Sequence, residues 1–279
     1  MTLDLAMATW RPDALLRLDP ERLPRVDGVR YVISWQQHGD APVPPEIAAR
    51  ADIEVVRTDA SGLSANRNNA LEHCRADIIL NADDDMAYSP DGLRALVRTF
   101  EDHPEADLIM CAYADADGRP AKPYPAAGLD ISRRMPRGLW CGTVELPIFE
   151  LAFRRRGALN DLRFEPLIGP GTEPITSGED EYLLLGARRR GAVCRFEPVV
   201  IGRHTETPHA ARTTLPDGQL RSFGFYIAAA YPRTARARIL LKALRLSRLH
   251  QAGLSRALSQ MADGRRFYRE NFRQTQKNR

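Results

Sequence analysis

The sequence has few cysteines and no pairing pattern among them. The four, Cys74, Cys111, Cys141 and Cys194, are scattered without the spacing of a disulfide framework or a zinc site. We therefore expect buried, inert thiols in a reducing compartment. At 279 residues the chain is long enough to fold on a hydrophobic core instead of on disulfides.

Long apolar stretches are also missing. No run approaches the roughly 20 residues that a membrane-spanning helix needs. Residues 1–10 contain Asp4 and no basic stretch before an apolar one, unlike a secretory signal. The sequence thus predicts a soluble, cytoplasmic protein, with peripheral attachment to the inner face of the cell membrane left open.

The sequence does contain an alternation of strand-like and helix-like segments. Apolar runs predict strands at 3–8, 29–34, 53–56, 77–81, 146–153 and 194–201, and helical spacing predicts helices at 12–23, 64–74, 90–101 and 179–190. This alternation indicates an α/β fold with a mixed, mostly parallel central sheet flanked by helices.

Three consecutive carboxylates, Asp83, Asp84 and Asp85, follow the fourth predicted strand. Parallel sheets bind ligands at the carboxyl ends of their strands, and a cation is the simplest means of holding three like charges together there. Oxygen ligands suit Mg²⁺ or Mn²⁺ shared with substrate phosphates. The alternative is an acidic loop that caps the following helix near Ser89 and Asp91.

Positive charge is concentrated near the end of the sequence, although the net charge is only +4. The basic residues after Pro232 include Arg233, Arg236, Arg238, Lys242, Arg245, Arg248 and Arg256, which face few acids. Leucines at helical spacing between 235 and 261 predict a basic, amphipathic helical tail at 232–279. Such a tail either contacts an anionic membrane surface or packs on the core with a solvated basic face. No nucleic-acid recognition motif accompanies the charge, so we expect no nucleic-acid partner.

Several motifs in series across residues 3–210 resemble those of bacterial, inverting family 2 glycosyltransferases. They are Gly-Leu-Ser-Ala-Asn-Arg-Asn at 62–68, Ile-Leu-Asn-Ala-Asp-Asp-Asp at 79–85, Phe-Glu-Pro at 164–166, Gly-Pro-Gly-Thr at 169–172, Gly-Glu-Asp-Glu at 178–181 and Val-Ile-Gly-Arg-His at 200–204. The resemblance implies a GT-A type nucleotide-diphospho-sugar transferase fold with a C-terminal helical appendix. It divides the chain into a catalytic domain at 1–231, with a nucleotide-sugar-binding half at 1–112 and an acceptor-binding half at 113–231, and the tail at 232–279.

The resemblance also implies a donor site. Asp83 and Asp85 would hold Mn²⁺ or Mg²⁺ and the ribose or diphosphate of a nucleotide sugar, most simply a UDP-sugar, with His204 as a third metal ligand. The other residues expected to bind the nucleotide are Thr9, Trp10, Ser34, Gln36, Arg67, Asn68 and Asp84. The first two motifs depart from the family pattern, with Ala-Thr-Trp-Arg at 8–11 and Ser-Trp-Gln-Gln at 34–37. Trp10 or Trp35 could stack on the base or belong to the core.

On the acceptor side, the resemblance makes Asp180 the catalytic base, with Glu179 beside it at a helix N-terminus that favours ionised carboxylates. The implied reaction is sugar transfer to a hydroxyl of a glycan or lipid-linked acceptor, in bacterial surface polysaccharide synthesis.

Three other functions stay open on the sequence alone. A metal-dependent nucleotidyl or phosphoryl transferase also uses acids at strand ends, although 7–12 lacks a Gly-rich phosphate loop. A glycoside hydrolase could pair Asp85 with Glu179 as acid and base. A catalytically silent module of the same fold could bind a membrane surface through its tail.

Overall fold

The computed structural model describes residues 1–121, 123–133, 151–205 and 214–272. The strands are β1 Leu3–Trp10, β2 Val29–Gln36, β3 Ile53–Thr58, β4 Ile78–Asp83, β5 Met86–Tyr88, β6 Leu108–Ala114, β7 Leu129–Asp130, β8 Leu151–Arg154 and β9 Cys194–His204. The α-helices are α1 Ala14–Arg17, α2 Pro45–Ala48, α3 Leu63–His73, α4 Pro90–Asp102, α5 Glu179–Arg189, α6 Asp217–Ala230, α7 Ala235–Arg248 and α8 Leu254–Asn271.

The strands form one mixed sheet in the order β3-β2-β1-β4-β8-β6-β9-β5, with β7 paired to β9. The first four strands in this order run parallel, so β1, β2 and β4 end at the same edge. β8 is antiparallel to β4 and β6, whereas β6 and β9 are parallel. The predicted α/β fold with a mixed, mostly parallel sheet is confirmed.

Helices cover both faces of the sheet. Side chains alternate between the two faces along each strand, and the buried strands carry apolar residues on both, so each face needs a covering layer. On β1, Leu5 faces the cluster that contains Leu93, Leu96 and Phe100 of α4. Ala6 faces the opposite cluster, which contains buried side chains of α3 and α5. The spacing of the three α4 residues is that of one helix face, so the amphipathic pattern explains why α4 packs there.

One predicted helix is wrong. The segment 12–23 contains the four-residue α1 and a separate 3₁₀ turn at Pro20–Arg22, with Leu18 and Asp19 extended between them. The residue before a proline disfavours helical backbone, which explains why the helix stops before Pro20.

The predicted strands differ mainly at their carboxyl ends. The structure extends β1, β2, β3, β4 and β9 two or three residues beyond the predicted ends, so Thr9, Gln36, Asp83 and His204 lie within strands. β6 and α6 were not predicted. Of the strand predicted at 146–153, β8 occupies the end, and 146–150 lie outside the described residues.

The cysteines agree with the expected buried thiols where the structure describes them. Cys74, Cys111 and Cys194 are buried, and burial raises the pKa of Cys74 and of Cys194 to about 12. Cys141 lies outside the described residues. In the described ranges, no helix has the length and apolar character needed to cross a bilayer.

The helices α6, α7 and α8 share a third core, which we call the helical bundle. A Cβ on Gly224 would lie 1.9 Å from the Met261 carbonyl oxygen, and one on Gly264 would lie 1.9 Å from that of Arg221. Only glycine therefore permits the close packing of α6 on α8. The predicted division at 231/232 passes between α6 and α7, and it stays a prediction.

Candidate functional site

A buried arginine joins the two halves of the predicted site. Arg67 of α3 is 1% exposed. Its Nη2 donates to Asp83 Oδ1 at 2.9 Å, and its Nη1 donates to Glu179 Oε1 at 3.2 Å and to Asp180 Oδ1 at 3.1 Å. One guanidinium thus contacts the carboxylate at the end of β4 and both acids at the start of α5. We call these four residues the Arg67 cluster.

The Arg67 cluster holds three carboxylates against one guanidinium. Burial raises the pKa of Asp83 and Glu179, and raises that of Asp180 well above its ordinary value, while the charge of Arg67 acts in the opposite direction on all three. A raised pKa makes an ionised carboxylate a stronger proton acceptor. Strongly perturbed carboxyl groups of this kind are common at catalytic sites.

Neighbouring side chains fix the orientation of Asp180. Asn81 Nδ2 donates to Asp180 Oδ1 at 3.0 Å, and the ring of Phe164 lies 5.2 Å from the Arg67 guanidinium carbon. Because α5 begins at Glu179, both acids also lie at a helix N-terminus, where the helix dipole favours negative charge.

The three consecutive aspartates contact different partners. Asp83 binds Arg67, and Asp84 Oδ2 accepts from Thr9 Oγ1 at 2.5 Å. Asp85 is about half exposed, with its Oδ2 3.4 Å from His204 Nδ1. Ser89, not an aspartate of this triplet, caps α4 by accepting from the Gly92 amide. The three carboxylates are therefore not a simple helix cap.

Three residues predicted to bind the nucleotide make hydrogen bonds within the protein. Ser34 is fully buried and its Oγ accepts from Asn69 Nδ2 at 2.8 Å, while the Gln36 side-chain amide donates to the carbonyl of Ala60. Asn68 donates to the Phe164 carbonyl at 2.9 Å and accepts from its amide at 2.8 Å. Gln36 and Asn68 hold neighbouring backbone, and Ser34 holds the Asn69 side chain. The predicted nucleotide-binding roles of the three residues stay predictions.

Arg67 is buried, and its two terminal nitrogens contact carboxylates. Its predicted contact with the nucleotide stays a prediction. Thr9 is likewise buried and held by Asp84. Trp10, the last residue of β1, is 48% exposed, with the Arg11 guanidinium 3.9 Å from its ring centre. Trp35 is fully buried in the core. Of the two tryptophans, only Trp10 is accessible for stacking.

The chain is similar to known glycosyltransferases in sequence and in fold. The model of the family described as Glycosyl transferase family 2 matches residues 43–163. A pre-mycofactocin glycosyltransferase of Mycobacterium tuberculosis is 29% identical over 194 residues, which are 68% of this chain and 39% of that protein. The chain thus spans about two fifths of the length of the curated relatives it matches.

Residues 43–163 are thus similar to glycosyltransferase family 2. The fold of the chain is also that of solved GT-A structures. The crystal structure of S. aureus TarS 1-349 aligns with a TM-score of 0.63 at 14% identity, over 99% of this chain and 92% of that one. The same protein has been solved with UDP-GlcNAc, with a TM-score of 0.60 at 13% identity, over 99% of this chain and 92% of that one. The mannosyltransferase PcManGT of Pyrobaculum calidifontis, in complex with GDP-Man and Mn²⁺, aligns with a TM-score of 0.54 at 16% identity, over 94% and 73% of the two chains.

The family match includes Arg67 and Asp83 but ends before α5. Glu179, Asp180 and His204 therefore enter the site on geometry and on motif resemblance. Their contacts to Arg67 and Asp85 connect them to the matched region.

The site has part of the donor set that a divalent ion needs. Asp85 and His204 lie side by side. Asp85 Oδ1 is buried without a hydrogen-bond partner, as expected for an oxygen that binds a cation. Asp83 is engaged by Arg67, and in the described residues no group of three acidic, histidine or cysteine side chains forms a complete metal site. Two protein ligands are sufficient for Mg²⁺ or Mn²⁺ when substrate phosphates complete the shell.

Sequence reasoning assigned no role to three polar residues at the site. The side-chain carbonyl oxygens of Asn66 and Asn81 are buried without partners, although the amide of Asn66 donates to the Thr9 carbonyl at 2.8 Å. The Tyr88 hydroxyl accepts from the Asp83 amide at 3.0 Å and donates to its carbonyl at 3.2 Å. The sequence signal for both asparagines was their place inside the motifs at 62–68 and 79–85.

Proposed function

We propose that this chain transfers a sugar from a nucleoside-diphosphate donor, most simply a UDP-sugar, to a hydroxyl of a glycan or lipid-linked acceptor, with inversion at the anomeric carbon. The observation that carries the proposal is the Arg67 cluster. In this cluster a single guanidinium, that of Arg67, contacts Asp83 at the carboxyl edge of the sheet. The same guanidinium contacts Asp180 and Glu179 on the acceptor side.

On the donor side, the carboxyl ends of β1 and β4 form the floor of the site. Trp10 is the exposed aromatic that could stack on the base, and Thr9 keeps Asp84 in place. We assign the diphosphate to the vicinity of Asp85 and His204. A Mn²⁺ or Mg²⁺ ion held there would supply positive charge to the departing diphosphate.

On the acceptor side, the ionised Asp180 carboxylate accepts the proton of an acceptor hydroxyl as that oxygen attacks the anomeric carbon. The new bond joins the acceptor oxygen to that carbon, and the bond from the carbon to the diphosphate oxygen breaks on the opposite face. One displacement needs one base and inverts the configuration. Arg67 and Asn81 hold the Asp180 carboxylate in a fixed orientation, and Arg67 keeps Glu179 beside it.

The contacts in the structure argue against the hydrolase alternative. Asp85 contacts His204, whereas Glu179 contacts Arg67, so the two carboxylates proposed as an acid–base pair are held by different partners. The early Gly-rich phosphate loop of a nucleotidyltransferase is missing from 7–12.

Asp180→Asn tests the base. Release of UDP from a panel of UDP-sugars with Mn²⁺, in which water serves as the acceptor, should fall by roughly 10²–10⁴-fold. Calorimetric affinity for UDP should change by no more than a few-fold, because Asp180 is assigned to the acceptor. Asp161→Asn, an exposed acid paired with Arg190 in the same half of the chain, serves as the matched control. UDP release by the Asp180→Asn protein at the control's rate would remove Asp180 from the base role.

A further inference from the structure

One side of α7 is apolar and exposed although the helix is packed in the bundle. Ile239, Ala243 and Leu246 face the bundle core. On the opposite side, Leu240 is 47% and Leu241 is 66% exposed. Ala237 and the partly buried Leu244 lie on the same side of the helix, at helical spacing from these two leucines. We call the four residues the α7 outer face.

The exposed leucines of this region are clustered. Of the nine large apolar side chains exposed in the described part of the chain, four lie between residues 240 and 254, the other two being Leu249 and Leu254. Single exposed leucines on a surface need no explanation, but a contiguous apolar strip indicates a surface that binds something.

Charge identifies the kind of partner. The sequence has no Asp or Glu between Asp217 and Asp263, and the exposed Arg236 and Arg248 border the α7 outer face. Two copies of this basic surface would repel each other, so a second copy of the chain is a poor occupant. An anionic bilayer offers both an apolar interior for leucines and phosphates for arginines.

The predicted tail exposes fewer free basic side chains than its sequence suggests, because some of them bind other parts of the protein. Lys242 is buried with its Nζ 4.2 Å from the Phe223 ring centre, and Arg256 pairs with Asp217 at 2.6 Å. These two charges are used within the protein. The tail therefore packs on the protein and still leaves one basic, apolar face.

We propose that the α7 outer face lies on an anionic membrane surface, with its leucines among the acyl chains and its arginines at the lipid phosphates. With 14 residues, α7 has the length of a helix lying in the interface, not of one crossing the bilayer. The lipid headgroups are identified by charge alone, as phosphates of an anionic bilayer such as the inner face of the cell membrane.

The bundle also contacts the acceptor side of the proposed active site. Ser222 Oγ of α6 accepts from the backbone amides of Thr176 and Ser177, in the segment that leads into Glu179 and Asp180. A membrane-bound bundle would therefore keep this segment near the bilayer, where a lipid-linked acceptor resides. This second step rests on the proposed glycosyl transfer, whereas the membrane contact itself does not.

Vesicle sedimentation tests the charge component. The 279-residue chain should bind vesicles of phosphatidylcholine with about 30% phosphatidylglycerol and not vesicles of phosphatidylcholine alone, and binding should weaken as salt is added. Arg236→Gln with Arg248→Gln should weaken binding roughly 20-fold. Arg25→Gln with Arg98→Gln, which removes two exposed arginines from the opposite half of the sequence, is the matched control and should have little effect.

Two single leucine substitutions, one on the α7 outer face and one control elsewhere, test the apolar component of vesicle binding. Leu241→Gln should weaken vesicle binding about tenfold, because a buried leucine is lost from the acyl region. Leu16→Gln, at a leucine that is 73% exposed on α1, should leave binding unchanged. Circular dichroism of each variant checks that the fold is retained.

Three results would overturn the proposal. They are equal binding to both kinds of vesicle, no binding to either kind, and equal effects of the outer-face and control variants. UDP release from UDP-sugars in the absence of vesicles separates this outcome from failure of the proposed function. The outer-face variants should release UDP at the unmodified rate, since none of the substituted residues belongs to the active site.

Discussion

Replacing Arg67 by methionine removes the cation from the Arg67 cluster while keeping most of the buried volume. Arg67 is 1% exposed and contacts Asp83, Glu179 and Asp180 at 2.9 to 3.2 Å. Removing one partner of a buried ion pair typically costs about 3–5 kcal/mol, because the other charge remains desolvated. We expect a loss in this range at neutral pH, which is a large part of the stability of an ordinary domain.

The loss should depend on pH in a definite direction. Arg67 lowers the pKa of all three carboxyl groups, so its removal raises them further above the values that burial already imposes. A carboxyl group with a raised pKa in the folded state stabilises the protein below its unfolded-state pKa, near 3.8 for Asp. That stabilisation is lost as the pH rises through the folded-state pKa. The destabilisation by Arg67→Met should therefore be larger at pH ~8 than at pH ~5.

Urea unfolding at both pH values measures this difference. Arg154→Met is the matched control, because Arg154 is also buried but donates to the backbone carbonyls of Ala106 and Phe100 instead of to carboxylates. Its substitution should cost stability about equally at both pH values. If Arg67→Met costs less than about 1 kcal/mol, or shows no more pH dependence than Arg154→Met, the assigned charge balance of the site is wrong.

Three further predictions concern the base, the metal ligands and the loop before α5. Because burial raises the pKa of Asp180, UDP release should rise with pH to a midpoint clearly above 3.8, and a pH-independent rate would contradict this. Asp85→Asn should weaken Mn²⁺ affinity, measured calorimetrically with UDP present, by roughly tenfold or more; an unchanged affinity would place the ion elsewhere. Gly171 and Gly118 share a φ of 82°, but only at Gly171 would a Cβ approach another backbone, 3.1 Å from Gly62 Cα. In thermal unfolding, Gly171→Ala should therefore destabilise more than Gly118→Ala, and equal losses would exclude that contact as a cause.

The fold was predictable where hydrophobic spacing is regular. The helices α3, α4 and α5 lie within one residue of their predicted bounds. In α4 the buried apolar residues Leu93, Leu96 and Phe100 repeat with helical period. α6, which was not predicted, contains Gly218 and Gly224. Gly224 is present for a tertiary reason, the approach of α8, and sequence spacing does not record such contacts.

The sequence named the residues of the Arg67 cluster but not the contacts between them. The motifs named Arg67, Asp83, Glu179 and Asp180, yet Arg67 and Asp180 are 113 positions apart in sequence. No local pattern states that a helix residue near one motif faces the acids of another. For the same reason, no local pattern predicts that the Asn68 carboxamide bonds to the backbone of Phe164, 96 positions away.

The composition of the Arg67 cluster is unfavourable for stability alone, which is an argument for its function. Two buried carboxylates and the partly buried Asp83 share one guanidinium, and burial opposes the ionisation of each. Buried ion pairs are often replaceable by apolar side chains without loss, so an uncompensated excess of acids is hard to explain as a structural device. The orphaned oxygens of Asn66, Asn81 and Asp85 add to that cost, because buried polar atoms are normally bonded. A sugar nucleotide, a cation and an acceptor hydroxyl bound at this site would provide partners for these carboxylates and unpaired oxygens. The loss of stability then accompanies a base and a donor site that are preorganised next to each other.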